Sequence, residues 1–398
     1  MNISTYEVGD PLCRIRFYPL HIMLVAEQRG NGEVVGVVRG CIKHVGTKFG
    51  GMCVNLGCIL GLRVSPTHRR KGIGLKLVNS IEEWMVKNGA HYTFLATEKN
   101  NMASVTLFTT KCNYVKLSSL IIFVQPASNF PVEDTTSFGS PSYKKIEKLH
   151  VDRAISFYNK KLRSKDMYPT DMDGILKENL SLGTWISYFQ EEKWSSLQRK
   201  SDTKINEEEQ EEEIRLGENR ISPSSWVIFS IWNSCEAYRY KNIHITKSHP
   251  ISTTIRSISH ARDMIFTCLK MPTICSRSAT TSSTSSTLSA VEKPFGFLFL
   301  YGLLGEGERL GELLKSAWSF ASRLAEDVNC KVVLTELGVS DPLIPHLLPP
   351  QEAAGSAMSC IDDLWYVKKV SSTDEKDDDE VIAEIGEFGN VFIDPRDF

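Results

Sequence analysis

Three basic residues followed by two spaced glycines, Arg69-Arg70-Lys71-Gly72-Ile73-Gly74, form the stretch of this chain best suited to chemistry. Glycine lacks a Cβ, so an anion can approach the backbone closely at Gly72 and Gly74. The run falls where a strand should hand over to a helix. The first amides of a helix have no intrahelical acceptor, and together with the helix dipole they favour a bound phosphate. Cations at that end oppose the dipole, so the cluster is more easily explained by an anion there than by helix stability. The run is not a P-loop, because no Lys-Ser or Lys-Thr follows the last glycine. Nor is it a dinucleotide fingerprint, which needs three spaced glycines and an acidic residue about 20 positions on.

The elements that must hold this run are legible on both sides of it. His21–Gln28 and Val34–Lys43 are rich in β-formers, and Arg29-Gly30-Asn31-Gly32-Glu33 between them suits a hairpin turn. Gly57–Val64 reads as a third strand, broken by Ser65-Pro66. Leu75, Val78, Ile81 and Met85 recur at helical spacing, which predicts a helix from Gly72 to Lys87 with Asn88-Gly89 as its stop. His91–Ala96 is the next strand, Asn101–Thr110 a short second helix, and Tyr114–Val124 a closing strand or hairpin.

The same rhythm returns late in the chain. Phe295–Tyr301 reads as a buried strand, Gly302–Gly307 as a glycine-rich loop, Glu308–Ala325 as a helix and Lys331–Glu336 as a strand. A second, degenerate copy of the first unit is expected. Its loop carries Glu306, Glu308 and Glu312 where the first has Arg and Lys, and acidic groups there would repel a phosphate.

Composition limits the alternatives. The chain has 398 residues, 41% hydrophobic and 24% charged, which argues against wholesale disorder and suggests two or three domains. Lys and Arg number 46 against 48 Asp and Glu, so direct nucleic-acid binding is not expected from so short a basic patch. No apolar run approaches the ~20 residues a spanning helix needs, and no secretory signal is evident. The ten cysteines form no CxxC pair, so no metal site is expected, and reduced thiols in the nucleus or cytoplasm are. Acidic and Ser/Thr-rich tracts near 195–220, 276–290 and 371–380 read as disordered loops.

After the glycine run come Asn101-Met102-Ala103-Ser104-Val105-Thr106-Leu107-Phe108 and Cys112-Asn113-Tyr114. This combination resembles the GCN5-related N-acetyltransferase superfamily, whose Q/R-x-x-G-x-G/A loop precedes N-x-x-A-x-x-L-Y. The stretches from Leu60 to Gly74, Tyr168 to Gly183, Ser225 to Asn233, Lys293 to Gly307 and Gly389 to Phe398 narrow it to the plant HOOKLESS-type probable N-acetyltransferases. The resemblance implies an α/β (α+β) acetyltransferase fold, a mixed central sheet flanked by helices. It places an acetyl-CoA-binding domain at residues 1–126 and a degenerate acetyltransferase-like domain at 127–398.

It also implies roles. Leu62, Arg63 and Val64 would offer backbone groups to pantetheine. Arg69, Arg70, Lys71, Gly72, Ile73, Gly74 and Leu75 would cradle the pyrophosphate. Asn101 would contact pantetheine or order the loop, where it also fits a helix N-cap, and Phe108 would line the thiol channel. The implied reaction moves acetyl from acetyl-CoA to a protein or small amine acceptor, with protein lysine in view, in a growth-regulatory setting. A homo-oligomer is compatible with this reading.

Two departures favour the alternative of a weakly active or inactive regulatory and scaffolding module. Phe108 stands where the superfamily has a proton-donating Tyr. Only about twenty residues precede His21, so helices that help wall the acceptor groove are missing, which implies a shortened front or a wall supplied by the C-terminal half. No general base stands out. Glu98 is the nearest acidic candidate, and a solvated or capping role is expected for it.

Overall fold

The computed structural model describes residues 15–48, 53–127, 144–190, 224–234, 297–328, 330–347, 359–370 and 388–397. The tracts expected as loops near 195–220, 276–290 and 371–380 lie outside the described residues.

The first elements follow the apolar pattern closely. β1 (Leu20–Glu27) and β2 (Val34–Thr47) pair antiparallel as a hairpin, and β3 (Cys53–Val64) pairs antiparallel with β2. A single 3₁₀ turn at Pro66–His68 leads to α1 (Ile73–Lys87). That helix buries Leu77, Val78, Ile81 and Met85 on one side. Each such side chain contributes roughly 1.5–3 kcal/mol of burial free energy. β4 (Tyr92–Glu98) runs two residues past its expected end at Ala96. α2 (Met102–Thr106) passes into a π-turn over Leu107–Lys111 before β5 (Val115–Pro126).

β6 (Lys144–Leu149), α3 (Val151–Lys161), β7 (Met167–Pro169), α4 (Met172–Leu176), β8 (Ser181–Phe189) and β9 (Trp226–Asn233) follow. The repeated rhythm is then realised as β10 (Phe297–Glu306), α5 (Leu310–Asp327) and β11 (Val332–Gly338), and the chain continues through α6 (Ile344–Leu347) to β12 (Ser359–Lys369). The glycine-rich loop expected at Gly302–Gly307 is instead mostly strand. β10 survives because Gly302, at φ +62°, absorbs an extra residue in a bulge against β9.

All the described strands join one sheet in the order β1-β2-β3-β4-β12-β5-β11-β10-β9-β8-β6, with β7 paired to β2 off this path. The order interlaces the two halves. β12, from the end of the chain, lies between β4 and β5, and β5 lies between β12 and β11. A boundary at 126 therefore does not separate two sheets. Outward from the β12–β5 pair the pattern is the same both ways: an antiparallel neighbour (β4 or β11), then a parallel one (β3 or β10), then an antiparallel one (β2 or β9).

Side-chain alternation gives the sheet two packed faces. On one, α1 covers Val38, Ile59 and Leu95, and α5 covers Phe229, Leu298 and Val333. The other carries one continuous core across both halves. There Leu56, Cys58, Ile122 and Phe299 pack with Tyr158 of α3, Ile175 of α4 and the tail residues Val391, Phe392 and Ile393. C-terminal residues thus pack in one core with the N-terminal strands on this face. Arg396 ties this tail down, donating to Asp394 and to both carboxylate oxygens of Asp171 (2.6 and 2.9 Å), while Lys43 pairs with Asp397.

The expectation of reduced thiols holds at Cys41, Cys53, Cys58 and Cys112 but not at Cys330, which is disulfide-bonded.

Candidate functional site

A gap opens in the sheet beside the glycine run. β3 and β4 run parallel and pair only at Leu56 to Cys58 against Tyr92 to Phe94. Beyond Cys58 and Phe94 both strands continue unpaired with each other, to Val64 and Glu98. The divergence begins near a bulge against β2, where Gly61 adopts φ +59°. Backbone groups of β3 on that side, those of Leu62 and Val64 among them, are thereby released from pairing with β4, while Arg63 stays paired with Val37 of β2.

The start of α1 closes one end of the gap. Gly72 is its N-cap at φ +77°, no side chain caps the helix, and no acidic residue lies in the first turn. The first intrahelical bond runs from the Lys76 amide to the Gly72 carbonyl (3.1 Å), so the amides of Ile73, Gly74 and Leu75 precede the ladder. A Cβ on Gly72 would meet nothing within 4 Å. Positive φ, not crowding, demands glycine there. A Cβ on Gly74 would reach Leu107 at 3.6 Å, Val64 at 3.8 Å and Leu62 at 4.0 Å, so the helix start, strand end and α2 turn converge. Leu107, which fills the Leu position of the N-x-x-A-x-x-L-Y pattern, thus joins the site.

The basic residues are not equivalent. Arg70 (φ +61°), Lys71 and Arg69 are all exposed, but the Arg69 side chain folds back, its Nε donating to the Val64 carbonyl at 3.2 Å. The loop before them is held by a chain of contacts from Ser65 through Thr67 and His68 to Gln28. Arg70 and Lys71 therefore remain as the positive charges beside uncapped amides, an arrangement suited to a polyphosphate.

Asn101 is the N-cap of α2, its Oδ1 accepting from the Ser104 amide at 3.3 Å. Phe108 is buried at 3% exposure, with its ring edge-on to Tyr114 at 5.3 Å. The Tyr114 hydroxyl donates to Glu82 at 2.7 Å and lies 2.8 Å from the Thr93 hydroxyl. Burial, then the nearby Glu82, pushes this phenol well above its ordinary range, so it keeps its proton.

Glu98 departs from expectation. It is buried, at 6% exposure, not solvated. β4 extends to include it and β12 packs alongside, so its side chain lies on the face of Phe94. On the same face, two residues back, Ala96 is exposed.

The corresponding region of the second half is built differently. β10 and β11 part after Leu300 and Thr335, and Val391, Phe392 and Ile393 line a small pocket together with Tyr301–Leu303 and Thr335–Leu337. The Tyr158 hydroxyl donates to the Gly302 carbonyl at 3.0 Å. At the start of α5 the Arg309 amide donates to Ser225 Oγ, and Arg309 pairs with Glu312, holding that carboxyl below its usual range. Among the described residues no group of three or more His, Cys, Asp or Glu is placed to share a metal ion. Nor is any described helix long and apolar enough to cross a membrane.

A sheet that splays beside an uncapped, basic helix start defines a class, and the comparisons name it. Residues 4–114 match the Acetyltransferase (GNAT) family. The chain is 32% identical over its whole length to "Probable N-acetyltransferase HLS1-like" of Arabidopsis thaliana, covering 92% of that protein. It is equally 32% identical to "Probable N-acetyltransferase HLS1" of the same plant, covering 93% of it. Among solved structures, a GCN5-related N-acetyltransferase from Anabaena variabilis is similar at 12% identity and a TM-score of 0.37, over 88% of this chain and 63% of that one. The chain belongs to the HLS1-type probable N-acetyltransferases of the GNAT family, and is an acyltransferase.

Proposed function

We propose that the protein transfers acetyl from acetyl-CoA to an amine, with a protein lysine or a small amine as acceptor. The observation that carries the reading is the uncapped start of α1 beside the parted β3 and β4. The diphosphate of the coenzyme would sit on the amides of Ile73, Gly74 and Leu75, with Arg70 and Lys71 adding charge. Pantetheine would run along β3 from Leu62 to Val64, on the side that faces β4. The amine would enter over Ala96, within reach of Glu98.

Glu98 would take the proton of the attacking nitrogen as the C–N bond forms and the C–S bond breaks. Phe108 has no proton to give, and the Tyr114 hydroxyl is engaged by Glu82. A thiol ionises readily enough for the coenzyme to leave as thiolate and take its proton from water. The second half would be a degenerate relative of the first that takes no coenzyme, since Tyr158 engages the Gly302 carbonyl there and Ser225 the start of α5. The growth-regulatory role, in nucleus or cytoplasm, belongs to the same proposal, and a tagged chain in plant cells tests where it resides.

The test is acetyl transfer to lysine peptides and small amines by wild type and Glu98→Gln. Turnover that falls about 10²-fold or more in the variant supports the reading. Coenzyme binding without turnover in wild type would favour the regulatory module, as the absence of a Tyr at 108 suggests.

A further inference from the structure

We infer that two copies of this chain associate through the outer edge of β1, which pairs antiparallel with β1 of the second copy about a two-fold axis at Leu24. β1 ends the sheet, and no partner strand lies beyond it among the described residues. It is a regular strand of eight residues. The one irregularity in its pairing with β2 puts the extra residue, Val35, on β2. From Leu20 to Ala26 it carries no lysine, arginine, acid or proline. β6, at the opposite end of the sheet, is built the other way, with Lys144, Lys145 and Lys148 among its six residues. Lysines on an edge strand guard against pairing with another chain, and β1 has none.

Exposure singles out the same edge. Seven large apolar side chains are exposed among the described residues, and four of them, Leu20, Met23, Val25 and Val34, belong to the β1–β2 hairpin. Met23 and Val25 share one face, because side chains alternate along a strand. Ile22, Leu24 and Ala26, on the other face, pack with the core beneath α1.

The sequence of β1 fits itself. With Leu24 opposite Leu24 of the second copy, Met23 meets Val25, Ile22 meets Ala26 and His21 meets Glu27. The two-fold axis repeats each of these pairs on its other side. Apolar groups meet on both faces, and a base meets an acid at each end. His21 Nδ1 donates to the Tyr18 carbonyl at 2.6 Å, so Nε2 is the atom left to meet Glu27, and a proton on it completes an ion pair. Moving the axis to Met23 would set His21 against Val25 and lose that pair, so the side chains specify the register. This self-complementarity favours a second copy over any other occupant of the edge. A single strand pair is a small interface, so association should be reversible and concentration-dependent.

Sedimentation velocity of the full chain across roughly 1–100 μM tests the proposal. The mass should rise from one chain towards two. The double variant Met23→Lys, Val25→Lys, at two exposed positions, should stay at one chain with an unchanged circular dichroism spectrum. Cysteine cross-linking reads the register. Met23→Cys and Val25→Cys chains should join when mixed under mild oxidation, and not when either is alone. Wild type controls for the exposed Cys53. A single-chain mass at every concentration overturns the proposal, whether hydrogen exchange then finds the β1 amides covered by another segment of this chain or open. So does a double lysine variant that still dimerises, or a cysteine mixture that does not join.

Discussion

Gly61 and Gly302 hold the same place in the two halves of the sheet. Each sits at a bulge, at φ +59° and +62°, a few residues beyond the point where its strand stops pairing with its parallel neighbour. What differs is what surrounds them. Near Gly61 a Cβ would find the Arg39 guanidinium at 3.7 Å, and the start of α1 beyond it is uncapped. Near Gly302 it would strike the Tyr158 hydroxyl at 2.7 Å, and the start of α5 is engaged by Ser225. One backbone plan thus yields an uncapped helix start in one half and, in the other, a start engaged by Ser225 beside a bulge crowded by Tyr158.

This contrast predicts unequal costs for the same substitution. Gly61→Ala should destabilise by the backbone term alone, about 1–2 kcal/mol. Gly302→Ala should cost more, because a clash with Tyr158 is added to the same strain. Urea unfolding of both variants measures the difference, and equal costs would speak against the closed packing at Gly302.

The buried tail should be sensitive to its arginine and to acid. Burial would raise the Asp394 carboxyl, but Arg396 overcomes this and holds it below the usual range. The stabilisation is therefore complete above the ordinary carboxylate pKa of about 4 and is lost as pH falls through the lower native value. Arg396→Met leaves a buried acid without its cation and should cost about 3–5 kcal/mol at neutral pH. The deficit should shrink below about pH 4, where Asp394 is protonated in the variant. Thermal melts of wild type and variant across that range test the sign.

Much of this arrangement was legible in the residues. The spacing of Leu75, Val78, Ile81 and Met85 gave α1 nearly to the residue, because a one-sided helix must show its period. The glycine run and Asn101 fell where local chemistry put them, at two helix starts. Strand partners were not legible. Nothing in Ser359–Lys369 says that it will enter between β4 and β5, since partner choice over more than two hundred residues leaves no local pattern. Glu98 was misread for that reason: its burial depends on β12. The loop expected at Gly302 failed because a glycine that bends a bulge looks the same in sequence as one that ends a strand.

Tyr114 offers a separation of stability from chemistry. Its hydroxyl satisfies Glu82 and Thr93 on the α1 side of the sheet, away from the face of Glu98. Tyr114→Phe should lower stability by about 1–3 kcal/mol, the cost of leaving buried partners unsatisfied. Acetyl transfer at a temperature where the variant is folded should be unchanged. A large loss of turnover with intact folding would make Tyr114 the missing proton donor.

Calorimetric titration of the full chain with acetyl-CoA tests the central claim most directly. One molecule should bind per chain, at the start of α1 and not at that of α5. Gly72→Glu, which puts a carboxylate beside the uncapped amides at an exposed position, should abolish binding while the protein remains folded by circular dichroism. Two molecules per chain, no binding to wild type, or undiminished binding to the folded variant would contradict the account.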